Sequence, residues 1–204
     1  MTLQVERPRL VLASGSTARA MVLRAAGVIA EAIPAPVDEA AAKAAARADC
    51  ASAGEAALLL AGLKAASVAR RQPEALVIGC DQILVCRDTW FDKPANLAAA
   101  RTQLLALRGA EHVLETAIVC HRHGHEIWRH LARPRLVMRD FSEVFLDAYL
   151  AAEGEAVLSS VGAYRLEGPG AMLFERVDGE HAAILGLPLL ALLGFLRQHR
   201  VLVS

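Results

Sequence analysis

Leu76–Cys86 reads LVIGCDQILVC, an apolar run broken only by a glycine and by the polar pair Asp81–Gln82. Its length and its valine, isoleucine and leucine content predict a strand. Working outward, Arg9–Ser14 (RLVLAS) reads as a second buried strand entering a turn of small residues, with a helix from Thr17 to Ala26 behind it. Ile29–Pro36 reads as extended. The alanine-rich stretches Ala40–Cys50 and Glu55–Arg71 read as helices parted near Ser52–Gly54. Downstream, Arg87–Phe91 is turn-like, and Ala95–Leu107 reads as a helix closed by Gly109. Glu111–His121 and Glu126–Arg139 read as strands on either side of a turn at Arg122–His125, and Ser142–Ala152 as a helix capped by Ser142. Gly162–Gly179 is glycine-rich with extended pieces, and Pro188 marks the start of a last helix running to His199. Strands and helices mixed without a boundary or a repeat predict one α/β domain over residues 1–204.

The chain carries 22 basic and 22 acidic residues and no formal net charge. That balance excludes a non-specific nucleic-acid binder, which needs a basic surplus, but admits a small anionic ligand held by a local cluster of cations. The four cysteines, Cys50, Cys80, Cys86 and Cys120, form no CxxC pair. Cys80 and Cys86 lie in the apolar run as small hydrophobes, so a reduced, cytoplasmic compartment is expected. Met1–Pro8 lacks the apolar core of a signal peptide. Ala182–Leu196 is broken by Gly186, Pro188 and Gly194, so no membrane span is expected.

Several residues have a chemical reading beside a plain one. Asp81 stands inside an apolar strand, where a carboxylate is costly unless paired or metal-bound, and it could hold a metal or activate water. Ser14-Gly15-Ser16-Thr17-Ala18-Arg19 joins a strand to a helix. Backbone N–H groups, hydroxyls and Arg19 suit an anion there, and the plain reading is a helix cap with a surface arginine. Asp38-Glu39 can ligate a divalent cation or cap the next helix. Lys64, in an apolar helical stretch, can point into a cleft or reach along the surface to solvent. Lys93 stands before Pro94 on a turn. Glu167 can accept hydrogen bonds from a base edge or be a solvated strand residue. His121, His123, His125 and His130 surround a predicted turn, where alternate histidines either bind metal or make a solvated tip. P-loop, GxSxG and HExxH patterns are absent from the sequence.

In order along the chain, these segments resemble the Maf family. Leu12–Arg19 resembles its opening LASxSxxR motif, Val37-Asp38-Glu39 its DE step, Lys64-Ala65 its KA step, and Gly79-Cys80-Asp81-Gln82 its central GxD motif. Lys93-Pro94 resembles its GKP motif, Gly162-Ala163-Tyr164 with Glu167-Gly168 its GxYxxxG segment, and Leu185–Pro188 its GLP. Seven weak motifs in the right order make a specific signal.

The resemblance implies an α/β fold like that of inosine triphosphate pyrophosphatases, a mixed sheet with helices and two lobes around a cleft. It implies hydrolysis of a nucleoside triphosphate to the monophosphate and pyrophosphate, assisted by Mg²⁺ or Mn²⁺. Asp81, Lys64 and Lys93 are then the catalytic group, with Asp81 as general base or metal-organising carboxylate. Ser14, Ser16, Arg19, Ala18, Gln82 and Glu167 bind the substrate, and Glu39 joins Asp81 at the metal. Gln82 with Glu167, and the continuation Gly170–Arg176, are similar to the branch that prefers 7-methyl-GTP; a carboxylate suits the N1–H and amine donors of guanine.

Ala18 departs from the tryptophan typical of that branch, and departures from the family pattern are Ala20 for a second arginine, Leu63 for a glutamate and Asp92 for a glycine, with Ala117, Ala182 and Ala183 at further positions. Two alternatives stand beside the enzyme: a non-catalytic nucleotide-binding protein acting on cell division, since the family is linked to septum formation, and a pyrophosphatase preferring dTTP or UTP. The oligomeric state stays open, a homodimer included.

Overall fold

The computed structural model describes residues 3–203. Its eight strands and seven α-helices follow the order β1 (Leu10–Ala13), α1 (Thr17–Ala25), β2 (Glu31–Ala32), α2 (Glu39–Ala48), α3 (Ala53–Ala69), β3 (Leu76–Cys86), β4 (Thr89–Phe91), α4 (Leu97–Leu107), β5 (Glu111–Arg122), β6 (His125–Ala132), β7 (Arg135–Met138), α5 (Glu143–Glu153), β8 (Phe174–Asp178), α6 (His181–Ile184) and α7 (Leu189–Gln198). The α/β class and the mixed strand pairing are as expected. The chain divides into two compact units. The first holds the described residues up to Asp81, Thr116–Ala132 and those from Glu180 onward; the second holds Gln82–Glu115 and Arg133–Gly179. No helix among the described residues is long and apolar enough to cross a membrane.

In the first unit, β1 lies parallel to β2 and to β3, with Leu12 opposite Ala32 and Ile78. Strand side chains alternate between faces. Leu10 and Leu12 of β1 and Leu76, Ile78 and Cys80 of β3 pack with Leu23 of α1 and Leu192, Phe195 and Leu196 of α7. Val11, Ala13 and Val77 turn the other way, against Ala65, Val68 and Ala69 of α3. Burial on both faces explains why LVLA and LVIGC are unbroken apolar runs instead of alternating ones. Gly79 lies on the α3 face. A side chain there would overlap the Ala61 carbonyl oxygen and come within 2.8 Å of the Ala65 amide nitrogen, so glycine sets how closely β3 approaches α3. A capping box starts α3 at Ala53, two residues before the expected Glu55: Ser52 Oγ accepts from the Glu55 amide at 3.3 Å and Glu55 Oε2 from the Ser52 amide at 2.8 Å.

Other boundaries also moved. The extended stretch Ile29–Pro36 contracts to Glu31–Ala32, because Pro34 and Pro36 bring no N–H to a ladder. The expected strand Glu126–Arg139 is two strands, β6 and β7, parted at Arg133-Pro134 for the same reason. The turn-like Arg87–Phe91 resolves into a two-residue hairpin loop, Arg87-Asp88, both at positive φ, followed by β4 antiparallel to β3. His123-Gly124 closes the β5–β6 hairpin in the same way. The short helix α6 was not foreseen, and Pro188 caps α7 from outside. Cys80, Cys86 and Cys120 are buried, Cys50 is exposed, and all four are free thiols.

In the second unit, β7 lies between β5 and β8, antiparallel to both. Leu104 and Leu107 of α4 and Leu146 of α5 are fully buried in this unit, as are Leu114, Leu136 and Met138 of the strands. Two tyrosines and a histidine are also buried there. His112 Nε2 lies 2.8 Å from Tyr164 Oη, and Tyr149 Oη donates to the Ala163 carbonyl at 3.2 Å. His112 Nδ1 has no partner. Burial pushes the His112 imidazole down to about 4 from its ordinary 6.5.

Two tests follow from this packing. Gly79→Ala is expected to cost roughly 3 kcal/mol, read from the urea midpoint, because backbone of α3 and not a flexible side chain meets the new methyl. A cost under about 0.5 kcal/mol, the level of an ordinary surface change, would show that α3 can withdraw freely. For His112, the unfolded chain binds a proton below pH 6.5 that the folded chain refuses down to about pH 4. Stability is therefore full above that window and falls by about 3 kcal/mol across it as the pH drops. His112→Gln, which keeps a polar group toward Tyr164, should lose much of this slope; an unchanged slope would mean that burial of His112 is not its source.

Candidate active site

Asp81 ends the β3 segment of the first unit and, two residues on from Gly79, faces α3. Lys64 stands on that face of α3, three residues after Ala61 and one before Ala65, the pair that Gly79 touches. The close approach lets the lysine reach across: Lys64 Nζ donates to Asp81 Oδ1 at 2.6 Å, and Glu39 Oε1, at the start of α2, lies 2.8 Å from the same nitrogen. The side chains of Lys64 and Asp81 are 9% and 5% exposed, while that of Glu39 is 49% exposed. One ammonium thus joins a buried and a half-exposed carboxylate. Lys64 does not reach out to solvent as an isolated helix lysine would.

Asp81 Oδ2 is buried without a hydrogen-bond partner. Burial holds the Asp81 carboxyl above its ordinary value. Lys64, by charge and hydrogen bond, and Arg19, by charge, oppose that shift, and the Glu39 charge adds to it. The result is a carboxylate more basic than usual with one oxygen uncommitted.

The opening turn packs beside this group. Ser14 Oγ accepts from the Ser16 amide at 3.1 Å, and Ser16 Oγ caps α1 through the Arg19 amide at 3.4 Å. Both hydroxyls serve as acceptors here and keep their protons to donate. Arg19 Nη1 reaches Ser14 Oγ at 3.3 Å and the Cys80 carbonyl at 3.2 Å, while Nε donates to the Gly186 carbonyl at 2.8 Å. The arginine ties the opening turn, β3 and the loop before Leu187 together. Gly186, at φ +95°, leaves room for it, since a side chain there would lie 2.9 Å from Nε. Asp38 caps α2 through the Ala41 amide at 2.9 Å, so the two adjacent carboxylates divide between capping and the site. Ala18 and Ala20 are half-buried on α1, and Ala20 packs against the core. Leu63 is exposed on α3 beside Lys64.

Three expected residues belong to the second unit. Gln82 follows Asp81 on β3 and points to the opposite face. Lys93 is exposed on the turn between β4 and α4, ahead of buried Pro94. Glu167 lies in the loop between Tyr164 and Pro169, its carboxylate 3.5 Å from Arg165 Nε. His121 is buried and the histidines of the β5–β6 turn are exposed. Among the described residues, no group of three or more His, Cys, Asp or Glu side chains is arranged to hold a metal ion. The carbonyls of Cys80 and Gly186, the close approach at Gly79, and the Glu153–Arg165 pair were not expected from the sequence. The glycines of the central and GLP motifs were the available signal.

The α/β fold thus carries a buried lysine–aspartate pair next to an arginine-tied serine turn, an arrangement of donors and carboxylates that suits a hydrolase site. The Maf-like protein family model matches residues 9–199, and the chain belongs to that family. It is 55% identical to a nucleoside triphosphate pyrophosphatase of Granulibacter bethesdensis, over 95% of this chain and 98% of that protein. It is 52% identical to a nucleoside triphosphate pyrophosphatase of Paramagnetospirillum magneticum, over 95% of this chain and 100% of that one. A 7-methyl-GTP pyrophosphatase of Rhizobium etli is 46% identical, over 94% and 96% of the two chains.

The geometry separates the two carboxylates that share Lys64. Lys64→Met is expected to destabilise the protein by about 3 kcal/mol at neutral pH, since it leaves Asp81 buried and uncompensated. Glu39→Gln, at the exposed partner, is expected to cost under about 1 kcal/mol. Urea unfolding of both variants checks this, and equal costs would refute the asymmetry.

Proposed function

We propose that the protein hydrolyses a nucleoside triphosphate to the monophosphate and pyrophosphate. The observation that carries this reading is the buried Lys64–Asp81 pair, with Asp81 Oδ2 unpartnered and the carboxyl shifted upward. A base works best when its affinity for a proton is raised toward the working pH. In the reaction, a water oxygen bonds to the α-phosphorus while the bond from that phosphorus to the bridging oxygen breaks. Asp81 takes the proton the water loses, and pyrophosphate leaves. Lys64, Lys93, Arg19 and the hydroxyls of Ser14 and Ser16 are the donors assigned to the phosphates, where fixed cations offset charge as it develops.

The donor set also fits a divalent cation. Asp81 offers a buried, unpartnered oxygen and Glu39 a half-exposed carboxylate. Mg²⁺ commonly takes one or two carboxylates and completes its shell with water and substrate phosphate. Glu39, with Asp81 where that carboxylate organises the metal instead of taking the proton, would hold Mg²⁺ or Mn²⁺, which when bound supplies further neutralisation of phosphate charge. Gln82 and Glu167 are assigned to the base, with guanine-type bases, 7-methylguanine among them, favoured by the glutamate. The free, mostly buried thiols suit a reducing cytoplasm, where nucleotide pools lie.

Pyrophosphate release from 7-methyl-GTP, GTP, ITP, dTTP, UTP and CTP with Mg²⁺ or Mn²⁺ tests this reading. Turnover is expected, and Asp81→Asn should reduce it roughly a thousandfold while nucleotide still binds. A dTTP or UTP preference would reassign the branch. Turnover by the variant at the unsubstituted rate would remove Asp81 from the chemistry, and nucleotide binding without turnover by the unsubstituted chain would favour the binding-protein alternative.

A further inference from the structure

The loop that carries Glu167 is built with more constraint than an exposed loop needs. Ahead of it, Gly162 and Ala163 adopt positive φ of 79° and 59°. The following residues are pinned by three side chains. Tyr149 Oη holds the Ala163 carbonyl, Ser160 Oγ donates to the Tyr164 carbonyl at 2.6 Å, and His112 holds the Tyr164 hydroxyl. The chain then folds back on Arg165: the Gly168 amide donates to the Arg165 carbonyl at 3.2 Å, and a side chain at Gly170 would overlap that same carbonyl. A side chain at Gly168 would stand 3.3 Å from Glu153 Oε1. The Glu-Gly-Pro-Gly sequence at 167–170 therefore lets the loop wrap an arginine and a buried carboxylate.

Glu153 is the last residue of α5, and its side chain is 5% exposed. Its Oε2 lies 3.4 Å from Arg165 Nη1, and Arg165 Nε faces Glu167 Oε1 at 3.5 Å. The guanidinium is a planar fork, so fixing one edge fixes the direction of the others. An exposed ion pair adds little to stability, but one anchored by a buried carboxylate can hold a direction. A carboxylate oxygen has two lone pairs, so Glu167 Oε1 can face Arg165 and still accept from a base.

We propose that Arg165, anchored by Glu153, is a positioning residue for nucleobase selection: it aims the Glu167 carboxylate, whose side chain is 28% exposed, at the donors of a guanine-type base edge. The proposal rests on the pyrophosphatase reading and on Glu167 as the base acceptor. A side chain that must present two acceptors to two adjacent donors loses discrimination when it swings, even though the acceptor itself survives.

The test uses the ratio of kcat/KM for GTP to that for UTP in four variants of the full chain, each checked for folding by its melting temperature. Glu167→Gln should lower the ratio. Arg165→Met should lower it about tenfold, a loss on the scale of one specificity contact. Because Arg165 acts through Glu167, the double variant should show the same ratio as Glu167→Gln alone. Arg165→Lys, which keeps the charge but not the fork, should recover part of the preference. Should Arg165→Met not fold, Glu153→Gln carries the test, with a smaller fall in the same direction expected. An unmoved ratio in Arg165→Met, or losses that multiply in the double variant, would overturn the positioning role while leaving Glu167 in place. An unmoved ratio in Glu167→Gln would overturn the base assignment and this inference with it. Absence of turnover in the unsubstituted chain would overturn both and the function.

Discussion

The buried ammonium of Lys64 is the constraint on which the first unit turns. A lysine with so little exposure is tolerable only if an anion meets it, and Asp81 inside an apolar strand is tolerable only if a cation meets it. Each makes the other possible, and both depend on Gly79, which brings β3 and α3 close enough for the two side chains to touch. Ala65 serves the same end, since its methyl group already faces Gly79 and a larger residue there would hold the strand away. The alanine-rich composition is thus part of the site's construction as well as of helix formation.

The arrangement around Lys64 is asymmetric. Lys64 contacts a buried carboxylate on one side and a half-exposed one on the other, so the two carboxylates differ in environment though they share a partner. Asp81 keeps an uncommitted oxygen and a raised proton affinity, which is the condition for a base; Glu39 keeps its access to water. Arg19 has a different position. Two of its nitrogens bond to two backbone carbonyls and a serine hydroxyl, so it organises the opening turn as much as it offers charge. The second unit uses another method. Its loop at 162–170 is fixed by hydrogen bonds from Tyr149, Ser160 and His112 and by glycines that admit close backbone contact.

Much of the fold was legible because burial writes itself into runs of residue type. LVLA and LVIGC are apolar throughout because helices cover both faces of their strands, and Ser142, as expected, caps α5. The boundaries that moved did so at prolines and at short turns. Pro134 splits what periodicity alone joins, and Arg87-Asp88 hides a hairpin whose second strand is three residues long. The helix α6, four residues in length, is too short to leave a period.

The sequence by itself determined the α/β class, the family and the order of its motifs, because residue types and their order along the chain are local properties. Only the tertiary structure decided which of those charges meet. Lys64 and Asp81 are seventeen positions apart and Arg19 and Gly186 are 167 apart, and no spacing rule links such pairs. It also decided that Asp38 caps a helix while its neighbour Glu39 reaches Lys64, and that Glu153 lies buried under the loop of Glu167. The physical reason is that burial and direction, which set the energy of a charge, are properties of the packed chain.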